Sequence, residues 1–144
     1  GSERRQDADG AAHQFVEHLA IGLECSEQRF EERRARDPMV RRPRSVAQRL
    51  GYFLVMRVGW VPSGAEAPAQ SRPAEHPDPA AAERRFREGV ARLLELGRLL
   101  LPARRHDLFV KHPRIGDLSL EEWLKFHVWH CGHHAKQIRA RLAG

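Results

Sequence analysis

The stretch Trp123-Leu124-Lys125-Phe126-His127-Val128-Trp129-His130-Cys131-Gly132-His133-His134-Ala135-Lys136-Gln137 holds four of the chain's nine histidines. Just upstream, Ser119 and Glu122 form a capping box: the serine accepts from the N3 amide and the glutamate reaches back. A helix from there to about Leu142 is therefore expected. At about 3.6 residues per turn, His130 and His134 stand one turn apart on the same face. His127, His130 and His134 span a sector of about 60°, and His133 lies about 60° beyond His130. Zn, Ni or Fe(II) accepts imidazoles at about 2.0–2.2 Å, and two ligands from one turn need at least one more from elsewhere. The competing reading is a core helix whose rings bond to backbone or carboxylates.

Upstream, Phe15, Leu19, Gly22, Leu23 and Phe30 follow helical spacing with no proline before Pro38, predicting a first helix from about Ala11 to Ala35. His18 sits on its apolar face, where a lone histidine is either a satisfied core residue or, facing the histidine helix across a bundle, a third ligand. After Pro38 and Pro43, Ser45 caps a short, very apolar second helix through Val46, Leu50, Phe53, Leu54 and Val58, expected to be central. Residues 61–79 are rich in proline, alanine and serine and read as a long loop, either a lid over a site or a plain linker. Asp78-Pro79 opens a third helix marked by Phe86, Val90, Leu93, Leu96 and Leu100 and expected to end before Pro102. Four helical patterns without strand alternation give an all-α four-helix bundle, as a single domain over 1–144.

The 144 residues carry a formal charge of +6. The basic residues, nearly all arginine, are interleaved with acids, as in Glu31-Glu32-Arg33-Arg34, which marks solvated helix faces and makes a nucleic-acid partner the lesser reading. Two cysteines without CxxC spacing, Cys25 and Cys131, fit a reducing cytoplasm. No apolar run nears the ~20 residues of a membrane span, so no membrane partner is expected.

The closing pattern, His130-Cys131-Gly132-His133-His134-Ala135-Lys136-Gln137, resembles the H-x-x-H-H-x-x-Q signature of the DinB/YfiT superfamily, in particular a bacterial DinB-related domain of unknown function. His112-Pro113-Arg114-Ile115-Gly116 is similar to that branch's H-P-x-F-G segment, and Gln14 through His18 to its upstream Q-x-x-x-H. The resemblance implies a four-helix bundle with a divalent metal (Zn, Ni or Fe) held by His18, His130 and His134. His133 then matches the non-ligand histidine of the doublet, and Gln137 an amide supporting a ligand from behind. His127 has no counterpart and stays open as a fourth ligand or proton carrier. Where the family usually has Trp and Ser or Thr before the glutamine, this chain has Gly10 and Ala11. The family's first helix is expected to be truncated here, leaving apolar surface that a homodimer would cover.

A three-histidine metal with an open position acidifies bound water, binds a thiolate or polarises a carbonyl. Characterised members of the superfamily the chain resembles include metal-dependent thiol S-transferases and an isomerase that use low-molecular-weight thiols. The resemblance therefore implies a transferase or hydrolase acting on a small molecule, with a low-molecular-weight thiol as cosubstrate. Glu17 and His127 are the candidate proton carriers, Glu17 reading equally as a solvated carboxylate. Cys131, Cys25 and His112 read as packed thiols and a turn or pocket-edge residue. The alternatives are a non-catalytic structural bundle, its metal closed by His127 or Cys131, and an arginine-rich nucleic-acid binder.

Overall fold

The structure is a computed structural model that describes residues 2–58 and 78–143; the side chains described are those of 14–58, 78–133, 135, 136 and 139. Four α-helices form: α1 (Ser2–Arg33), α2 (Val46–Phe53), α3 (Pro79–Arg104) and α4 (Leu120–Ala143). The expected all-α bundle is present. The expected loop over 61–79 lies outside the described residues except for its end, where Asp78 caps α3 by accepting the Ala80 amide and Pro79 occupies the first turn.

Several boundaries differ from the sequence expectation. Helix α1 begins at Ser2 instead of Ala11, because Glu3 to Gln6 and Ala11-Ala12 are good helix formers even where the apolar periodicity is absent. Helix α3 passes through Pro102 to Arg104. Proline there removes one hydrogen bond, in the last turn. That end is tied down instead by the Arg104 guanidinium, which donates to the Arg34 and Arg36 carbonyls and to Asp107. A hairpin that periodicity did not signal, β1 (Val110–His112) and β2 (Gly116–Leu118), precedes α4 and pairs antiparallel, Val110 with Leu118 and His112 with Gly116. Three-residue strands are too short for alternation to register. Its turn closes on Gly116 at φ +83°, a conformation open to glycine.

The second helix is also not central. After the Ser45–Gln48 capping box it runs as α2 and then as a π-helical turn, Leu54–Val58, in which Val55 and Met56 are the buried side chains. Its bundle-facing side is set by Gly51, where a Cβ would come within 3.0 Å of Ile115, and by Tyr52, whose hydroxyl donates to Glu122 at 2.6 Å. Val46, Leu50 and Phe53 consequently face outward.

The core joins Leu23 and Phe30 of α1, Leu93, Leu96 and Leu100 of α3, Leu108, the hairpin's Val110, Ile115 and Leu118, and Trp123 of α4. Gly89 lets α3 approach Leu23 of α1 closely, and ion pairs Arg85–Glu24 and Arg92–Glu27 rim that seam. The connection before α2 is pinned to the hairpin by buried Asp117, which accepts the Arg42 amide at 3.0 Å and its guanidinium at 2.9 and 2.5 Å. That guanidinium holds the Asp117 carboxyl below the ordinary range. The first of these clamps joins α3 to α1 and the second joins the connection before α2 to the hairpin that leads into α4.

Candidate metal centre

Helices α1 and α4 pack so that His18 and His130 lie side by side, ring centroids 5.2 Å apart and planes at 86°. Two imidazoles bound to one ion at about 2.0–2.1 Å, at a tetrahedral angle, have centroids about 5.2 Å apart. The centroid spacing of this pair from the early and the last helix equals that value and is also that of an edge-to-face ring contact; its donor set suits Zn, Ni or Fe(II). Both rings are half-buried. His134 lies one turn further along α4, but its side chain and that of Gln137 fall outside the described residues. Among the described side chains, which do not include that of His134, no group of three or more His, Cys, Asp or Glu is placed to hold a metal.

An aromatic wall backs the pair. Phe126 packs against His130 at 5.4 Å and against Trp123 at 5.5 Å, and the Trp123 indole N–H donates to the Val110 carbonyl at 2.9 Å, anchoring the wall to the hairpin. His112 joins the same cluster, 4.8 Å from Phe126 and 5.4 Å from Trp123. Its Nδ1 accepts the Arg114 amide at 3.1 Å, so it also fixes the turn. Burial, and secondly the Arg114 charge, pushes His112 down to about 4, which keeps it neutral at physiological pH.

His127 is deeply buried and its Nε2 is hydrogen-bonded to Ser26 Oγ at 2.8 Å. Gly22 leaves room for the ring against α1, since a Cβ there would lie 3.8 Å from His127 Cε1. Burial, then the nearby His112, pushes His127 down to about 4. This Nε2 is committed to Ser26, eight residues beyond His18 on α1. That arrangement favours a helix-locking role for His127 over a fourth ligand. Sequence reasoning missed Ser26, although its place two turns after His18 on one face was the available signal.

Glu17 is not a solvated carboxylate: it is largely buried and lies 3.6 Å from the Arg85 guanidinium. His133 is half-buried. Cys131 and Cys25 are free and half-buried, and burial pushes the Cys131 thiol up, disfavouring a nucleophilic thiolate. A cleft of about 420 Å³ opens at the start of α4 beside Arg41, Phe109, Ser119 and Glu122. None of the histidine pair lines it, and its charges are matched internally, Arg41 with Glu122 at 2.6 Å and Arg105 with Glu121 at 2.7 Å. Burial alone would raise the Glu122 carboxyl, but bonds from Arg41, the Ser119 amide and Tyr52 hold it far below its usual value.

Among known proteins, the family description of the DinB superfamily matches residues 16–138. No curated protein and no solved structure matches the chain. The matched span runs from just before His18 through the hairpin and the histidine helix to the residue after Gln137, and the chain belongs to the DinB superfamily.

Proposed function

We propose that the protein binds a divalent metal through His18, His130 and His134 and uses it on a small molecule, in thiol S-transfer or hydrolysis. The observation that carries this reading is the 5.2 Å approach of His18 to His130 from helices far apart in sequence. A bound divalent ion with an open position supplies Lewis acidity, favouring the deprotonated form of a water or thiol. The chain's own contribution is placement. Ser26 and His127 lock α4 onto α1, and Phe126 limits the orientations open to His130. Glu17, held by Arg85 beside His18 in sequence, is the carboxylate nearest in sequence to the pair and the first choice for accepting a proton. His133 and Gln137 are assigned to support the ligands.

The test separates a working site from a closed structural one. Protein loaded with Co(II) is titrated with a low-molecular-weight thiol such as cysteine while sulfur-to-metal charge-transfer absorption is followed. The band should develop in the wild type and be absent from His130→Ala. Retention of cobalt with no band at saturating thiol would exclude thiol chemistry at the metal.

A further inference from the structure

The outward face of α2 and its π turn is set apart from the rest of the molecule in two ways. Its apolar side chains are exposed in a stripe, Val46 at 83%, Leu50 at 60% and Phe53 at 54% relative exposure, at i, i+4 and i+7, with Val58 beyond them. The residues from Pro38 to Val58 also include five arginines and no acid. Elsewhere arginines alternate with acids and pair with them, as in Arg85–Glu24, Arg92–Glu27 and Arg98–Glu95. Arg41, Arg42 and Arg44 of this segment are spent on Asp117 and Glu122. Arg49 and Arg57 are exposed and, among the described residues, form no ion pair.

On a helical wheel Arg49 lies about 60° to one side of Val46, and Arg57 follows on the exposed part of the π turn, so guanidiniums flank the apolar side chains. From Val46 to Phe53 the apolar stripe is about 10 Å long at helical rise. We infer that it is a docking surface for an anionic membrane, on which the helix lies without crossing. No helix among the described residues is long and apolar enough to cross a bilayer, and lying in the interface needs only an apolar ridge with flanking cations. Two considerations select this occupant. A second copy placed stripe to stripe would bring Arg49 and Arg57 against their own kind. Nucleic acid would leave Leu50 and Phe53 in water. The inference is independent of the metal reading.

The experiment is co-sedimentation of the full chain with vesicles of about three parts phosphatidylcholine to one of phosphatidylglycerol, and with phosphatidylcholine alone, at about 0.1 M and about 0.5 M salt. The wild type should bind the anionic vesicles at low salt and lose binding at high salt. Leu50→Glu with Phe53→Glu should abolish it, and Arg49→Gln with Arg57→Gln should weaken it roughly fivefold per arginine, with helical circular dichroism unchanged in both. Absence of wild-type binding, or binding that survives the double Glu variant, would overturn the inference. So would a dimer in sedimentation velocity that the double Glu variant converts to monomer, which would assign the face to a second copy.

Discussion

Acidification tests the Ser26–His127 lock. In the unfolded chain an imidazole takes its proton near 6.5, whereas in the fold His127 is held neutral down to about 4. The folded state therefore binds fewer protons than the unfolded state across that window. Stability is full above about pH 6.5 and falls as pH drops from there to about 4, at about 1.36 kcal/mol per pH unit for one such group. At about pH 5 this amounts to about 2 kcal/mol from His127 alone. His112 is shifted in the same direction, so the wild-type slope combines both. His127→Phe keeps a ring of similar size in the site, and Ser26→Ala, made with it, removes the orphaned hydroxyl. Urea unfolding of metal-free protein at about pH 7.5 and about pH 5 should show the double variant losing about 2 kcal/mol less than the wild type on acidification. Equal losses in the two proteins would refute a buried neutral His127.

Other sites yield further expectations. Asp117→Ala removes the acceptor of three Arg42 bonds; because the Arg42 side chain is largely exposed, the loss in denaturant unfolding should be about 2 kcal/mol and not the larger figure of a fully buried pair. Phe30→Ala empties a fully buried position in the core and should reduce stability by about 3–5 kcal/mol in the same assay. Gly116→Ala places a Cβ at positive φ and 3.2 Å from Arg44 Cγ, and a thermal melt should show a destabilisation of about 1–2 kcal/mol.

Much of the bundle is readable from sequence because its signals are local. The Ser119–Glu122 box, confirmed by bonds of 3.0 and 3.2 Å, and the Asp78-Pro79 start are one-turn chemistry. The hairpin is not legible in that way, since its strands are three residues long and are held from outside by Arg42, which donates to Asp117, and by Trp123, which donates to the Val110 carbonyl. Nor is the exposure of Val46, Leu50 and Phe53: an apolar stripe reads as core whichever side the bundle covers, and here Gly51 and Tyr52 decide that side. At the candidate site, spacing singles out His130 and His134 on one helix, while the nearness of His18 is tertiary. The sequence does not reveal that His127 turns to Ser26, because a ring's direction depends on what packs around it.

The convergence of His18 and His130 is best tested by elemental analysis of purified protein after mild dialysis, on the wild type, His130→Ala and the neighbouring control His133→Ala. The wild type and His133→Ala should retain close to one divalent ion per chain and His130→Ala should lose it while remaining helical. A wild type free of stoichiometric metal, or a His130→Ala variant that holds as much as the control, would contradict a metal centre at this pair.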